Sequence, residues 1–148
     1  MDLPEKLKEI VEDFALASRE EKVEMLIQYA ESLPPLPETL QGERAKMDPV
    51  PECMTPVFLF GEKQTDGSLS FYFDIPPQSP TVRGLAAILA NGLNGAQPEQ
   101  ILSVPADFFA PMNLQEAISY QRLNGFQGVL SHIKQAALRL MNEKDSAT

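Results

Sequence analysis

Met47-Asp48-Pro49-Val50-Pro51-Glu52-Cys53-Met54-Thr55-Pro56-Val57-Phe58-Leu59-Phe60 holds the chain's only cysteine, set between two prolines and followed at once by an apolar run. Pro51 and Pro56 each remove a backbone donor and fix φ, so the cysteine is expected on a non-helical loop that enters a strand. A free thiol is either a small buried hydrophobe or a nucleophile, and burial is the commoner fate. The loop shifts the balance towards chemistry, because reactive groups concentrate on loops held by a rigid scaffold.

Downstream, Val57–Glu62 and Ser68–Ile75 read as a β-hairpin around Asp66-Gly67, where glycine supplies a positive φ. Leu69, Phe71, Phe73 and Ile75 alternate with Ser68, Ser70, Tyr72 and Asp74, so one face of the second strand is core. A lone hairpin is marginal, and a further short strand near Arg44–Val50 is expected to complete a small antiparallel sheet. Upstream, Leu33 to Pro56 contains Pro34, Pro35, Pro37, Pro49, Pro51 and Pro56 and reads as a long irregular connection.

The rest of the chain is helical. Leu3, Leu7, Ile10, Val11 and Phe14 predict an amphipathic helix from about Pro4 to Leu16. Ser18 and Glu21 form a capping box for a second helix with Val23, Leu26, Ile27 and Ala30 as its buried stripe. Ser79-Pro80 opens a third, with Val82, Leu85, Ile88 and Leu89 inward and Gly92 at its end. Pro98–Leu102 and Ala106–Phe109 read as short helical pieces. From Arg122 to Met141, Leu123, Phe126, Leu130, Ile133, Ala137 and Leu140 recur at spacings of three and four, which predicts a long core helix. The fold class is therefore α+β: helices packed on a small antiparallel sheet, with Cys53 on a loop at one end.

Composition narrows the function. The 148 residues are expected to form a single domain, 1–148, with 142–148 a frayed tail. A hydrophobic share of 43% and a charged share of 22% are ordinary for a soluble globular protein. No apolar run is long enough to span a bilayer, and Met1-Asp2-Leu3-Pro4-Glu5 does not resemble a signal peptide. One cysteine makes no internal disulfide, so a cytoplasmic location is the default expectation. A net charge of -9 argues against nucleic acid and anionic membranes as partners and leaves a protein or a small molecule.

Few chemistries remain for one thiol. The only histidine, His132, falls with Gly128, Gln135 and Arg139 on the side of the last helix away from its apolar stripe. It is expected to face solvent rather than form a Cys–His pair. One cysteine and one histidine cannot fill a zinc site or hold an iron–sulfur cluster, so no metal is expected. There is no phosphate loop and no dinucleotide-binding glycine motif, hence no expected cofactor. A thiol without a general base is left with reactions in which activation and leaving group reside on a partner.

The chain also resembles a known family. Val50-Pro51-Glu52-Cys53-Met54-Thr55-Pro56-Val57-Phe58 is similar to the active-cysteine loop of the SufE family, V-x-G-C-x-S-x-V-W. Thr81-Val82-Arg83-Gly84-Leu85 resembles its V-K/R-G-L helix start, and Ser119-Tyr120-Gln121-Arg122-Leu123-Asn124-Gly125-Phe126 its S-x-x-R-x-x-G segment. Leu33-Pro34-Pro35-Leu36-Pro37 fits the same order. Glu52 stands where the family usually has Gly, Phe58 where it has Trp, and Pro76-Pro77-Gln78 where it has D-S-D. These departures resemble a branch with an E-C-x-T-P loop.

The resemblance implies a SufE/IscU-like fold and a sulfur-acceptor protein that takes persulfide sulfur onto Cys53 from a PLP-dependent, SufS-like cysteine desulfurase. It implies stimulation of that desulfurase and delivery to a SufBCD-like iron–sulfur scaffold, as an accessory rather than a stand-alone enzyme. Arg122 matches the family arginine and is expected to favour the thiolate; a helix-start residue in a surface ion pair is the alternative. Glu52 beside the thiol should raise its pKa unless it turns away or meets a base. A desulfurase partner in tRNA or molybdopterin sulfuration, or a binding module with a structural cysteine, remain open. Apolar Val50, Met54 and Val57 are expected to draw the thiol inward in the free protein.

Overall fold

The computed structural model describes residues 3–143. Asn142 and Glu143 lie within it; the rest of the expected frayed tail, 144–148, lies outside the described residues. Helix α1 spans Glu5–Leu16 and buries Leu7, Ile10, Val11 and Phe14 as its periodicity dictates. Helix α2, Arg19–Glu31, opens with both hydrogen bonds of the Ser18/Glu21 capping box.

The buried face of α2 differs from the one its sequence suggests. Val23 and Ile27 are 41% and 48% exposed, whereas Lys22 is 1% exposed and lies inward with Leu26 and Ala30. The cause is the crossing with helix α3, Pro80–Leu93, where the backbone of Leu26 sits directly on Gly84. That contact sets the helix rotation and carries Val23 and Ile27 off the interface. The buried ammonium of Lys22 is satisfied by the Glu116 carboxylate and the carbonyl of Asn113, as a buried charge must be.

A Cβ on Gly84 would overlap the Leu26 carbonyl oxygen and meet its carbon at 3.1 Å. Gly84→Ala is therefore expected to destabilise the protein by about 2 kcal/mol, the overpacking cost outweighing the helix-propensity gain of ~1 kcal/mol. A chemical-denaturation midpoint at or above wild type would show that the crossing tolerates separation.

The sheet has three antiparallel strands in the order β1 (Asp48–Pro49), β2 (Phe58–Lys63), β3 (Leu69–Asp74). Leu59 pairs with Phe73 and Gly61 with Phe71, and Leu69, Phe71, Phe73 and Ile75 all point into the core. The third strand is shorter than expected: Arg44–Lys46 forms a 3-10 turn, and only Asp48 and Pro49 pair with β2. Pro49 has no N–H to extend the ladder, which confines β1 to an edge. The free edge of β3 is covered instead. Asn94 Oδ1 accepts from Phe71 N–H at 2.8 Å, and the turn at Gly95-Ala96 bonds both ways with Leu69.

Gly92 does not end α3. It lies in the helix against Leu7, and the positive φ that turns the chain belongs to Gly95. Helix α4 is Pro98–Leu102, and Ala106–Phe109 is a turn rather than a helical piece, leading into a 3-10 turn at Ala110–Met112. Helix α5, Tyr120–Asn142, buries Phe126, Val129, Leu130, Ile133, Ala136, Ala137 and Leu140. The described residues form an α+β architecture: five helices around a small sheet, with one hydrophobic cluster drawing on every helix and on β2 and β3. No described helix is long and apolar enough to cross a membrane.

Candidate functional site

Cys53 sits at the tip of a loop that closes the β1–β2 hairpin. Val50 N–H donates to the Val57 carbonyl at 2.9 Å, and Cys53 N–H donates to the Val50 carbonyl at 3.2 Å. The base of this loop is pinned to α5 by Arg139 Nη2, 3.3 Å from Asp48 Oδ2. On its other side the Thr55 and Ser79 hydroxyls lie 3.4 Å apart, tying the loop to the start of α3. Ser79 thus meets the cysteine loop and makes no side-chain cap bond of its own.

The tip rests on the first turns of α5. Cys53 Sγ donates weakly to the Gly125 carbonyl at 3.6 Å. A Cβ on Gly125 would stand 3.1 Å from that sulfur, and one on Gly128 would stand 2.6 Å from Glu52 Cβ. Side chains at these two positions would hold the loop away, so the glycines make the docked geometry possible. Cys53 is partly buried, and the same loop leaves Met54 79% exposed.

Beside the sulfur opens a cleft of about 270 Å³ whose lining includes Val82, Leu85, Phe126 and Val129, with Arg122 among its polar groups. Arg122 N–H is capped by Ser119 Oγ at 3.3 Å. Its side chain is partly buried at the cleft and makes no ion pair among the described residues.

The electrostatics are dominated by desolvation. Burial pushes the Cys53 thiol from an ordinary 9.0 up to about 11, the Glu52 carboxylate adds to the rise, and Arg122 opposes it. In the free protein the sulfur is therefore a protected neutral thiol.

His132 departs from expectation. It does not pair with Cys53, but neither does it simply face solvent: Nε2 lies 3.1 Å from Glu52 Oε1. Glu52 thus meets a histidine on α5, while its charge still bears on the neighbouring sulfur. The local reason is spacing, since Gly125, Gly128 and His132 are three and then four residues apart and share one face of α5. That face looked solvated in sequence because it carries glycines and polar side chains, yet the cysteine loop covers it. The Gly125/Gly128 pair inside an otherwise strong helix was the available signal. Among the described residues no three His, Cys, Asp or Glu side chains converge as metal ligands.

Comparison with known proteins places these residues in context. Residues 8–137 match the family model SufE, described as an Fe-S metabolism associated domain. An uncharacterized SufE-like protein of Mycobacterium tuberculosis is 39% identical over 132 residues, covering 89% of this chain and 91% of its own. SufE-like protein 1 of Arabidopsis thaliana, chloroplastic/mitochondrial, is 30% identical over 99% of this chain, which spans 39% of that longer protein. The cysteine desulfuration protein SufE of Plasmodium vivax is 24% identical over 94% of this chain and 55% of its own length. The solution structure of a hypothetical protein from Thermus thermophilus superposes with a TM-score of 0.85 at 30% identity, covering 96% of this chain and all of that one.

Proposed function

This chain belongs to the SufE family, and from that premise we propose that Cys53 accepts sulfur from the persulfide of a cysteine desulfurase. The Cys53 sulfur attacks the outer sulfur of the donor, the donor S–S bond breaks, and the donor cysteine leaves as a thiol. Cys53–SH and donor–S–SH become Cys53–S–SH and donor–SH, with no external oxidant or reductant. The observation that carries the reading is the placement of the only cysteine at the tip of a loop beside a cleft, held by weak contacts. One hydrophobic cluster joins the described elements, which supports their acting as one acceptor domain. An iron–sulfur assembly scaffold is the proposed recipient.

The desulfurase supplies the activated sulfur; this chain supplies an acceptor thiol and its shelter. The inward, partly buried sulfur with its raised pKa is protected from solvent. Transfer requires the loop to leave α5 and enter the partner, driven by binding energy from the surrounding surface. Incubation with a cysteine desulfurase and L-cysteine, followed by mass spectrometry, tests the proposal. Cys53 is expected to gain the mass of one sulfur atom, and absence of that adduct would overturn the assignment.

Arg122 supports the thiolate from the cleft. Arg122→Ala is expected to lower sulfur uptake by roughly tenfold, about what loss of one nearby cation does to a thiol's charged form. Its thermal midpoint should barely move, since the guanidinium makes no ion pair among the described residues. A lowered midpoint with unchanged uptake would make the residue structural.

A further inference from the structure

We propose that Glu52 and His132 are positioning residues that together latch the cysteine loop in its docked state. The inference deepens the sulfur-acceptor reading by naming what restrains the acceptor loop. Its basis is geometric: Glu52 immediately precedes Cys53, its stem lies on Gly128, and its carboxylate reaches His132 one helical turn further along α5. Cys53 and Glu52 thus meet α5 at successive turns, the sulfur over Gly125 and the carboxylate over Gly128 and His132. The sulfur contact alone is weak, being a long S–H bond to a carbonyl. The Glu52–His132 contact is the stronger hold on the tip.

The strength of the latch suits its task. The two side chains are 44% and 19% exposed, so their contact is partly screened by water. Such a pair shifts an open–closed equilibrium by only about fivefold, which a docking partner can readily overcome. Gly128 belongs to the same device, because any side chain there would displace the stem of Glu52.

The test is the rate at which a small alkylating reagent modifies Cys53 in the full chain at fixed pH, with thermal midpoints measured alongside. His132→Ala is expected to alkylate about fivefold faster than wild type with its midpoint nearly unchanged. His132→Gln, which keeps a donor near Glu52, should recover part of the slow rate. In a Glu52→Ala background the His132→Ala substitution should add nothing, since the partner of the latch is already gone. Gly128→Ala gives an independent arm: it should speed alkylation by pushing the loop off while the helix itself gains propensity. Unchanged alkylation in His132→Ala overturns the latch, as does an acceleration that persists in full without Glu52. No desulfurase takes part, so failure here leaves sulfur acceptance by Cys53 to be judged by its own adduct.

Discussion

Cys53→Ser is expected to abolish desulfurase stimulation and sulfur uptake while the protein folds as before. Stability should hardly change because Cys53 is partly exposed and contributes one long S–H contact to the Gly125 carbonyl. A hydroxyl can donate to the same carbonyl, so the loss is about 1 kcal/mol or less. Chemistry, in contrast, loses everything. No second cysteine exists in the chain to take over, and a serine oxygen does not attack a persulfide as a thiolate does. Alanine release by the desulfurase, read beside the thermal melt, checks both halves. A serine variant that stimulates fully would remove Cys53 from the mechanism, and one that fails to fold would give the thiol a structural role.

The second large effect is a slow thiol. With its pKa at about 11 instead of 9.0, Cys53 is expected to alkylate roughly a hundredfold more slowly than an ordinary cysteine at pH 8, because reaction follows the thiolate fraction. The rate should still be rising about tenfold per pH unit where an ordinary thiol has levelled off. The sign of the linkage is fixed by the direction of the shift. Docking raises the thiol's pKa, so its stabilising contribution is complete below about 9.0 and is lost as pH climbs through about 11. Pro51→Gly and Pro56→Gly free the backbone of the loop without adding bulk and should speed the reaction. A wild-type thiol that alkylates like free cysteine would mean transfer from a permanently exposed sulfur.

Much of this architecture can be read from residues close together in the chain. The helical spacing in α1 and α5, the alternation in β3 and the Ser18/Glu21 capping box each describe a local geometry that tertiary contacts left intact. The prolines around Cys53 likewise announced a loop entering a strand, and the Glu52-Cys53 pair announced a perturbed thiol. Where the structure departs from the local pattern, the deciding contact lies far away in sequence. On α2, Val23 and Ile27 are as apolar as Leu26, and only the approach of Gly84 selected which of them is buried.

The site shows the same division. By itself the sequence determined a single thiol on a proline-bounded loop, an arginine at the start of a long helix, and the apolar face of that helix. The tertiary structure decided what covers the helix's other face. Periodicity reports only whether a face is apolar, and a polar face with two glycines suits water and a close-lying loop equally well. Docking residues 52 and 53 onto Gly125, Gly128 and His132 depends on backbone approach at distances no local pattern encodes. That approach shelters the sulfur, because it places a neutral thiol in contact with protein where water would otherwise be.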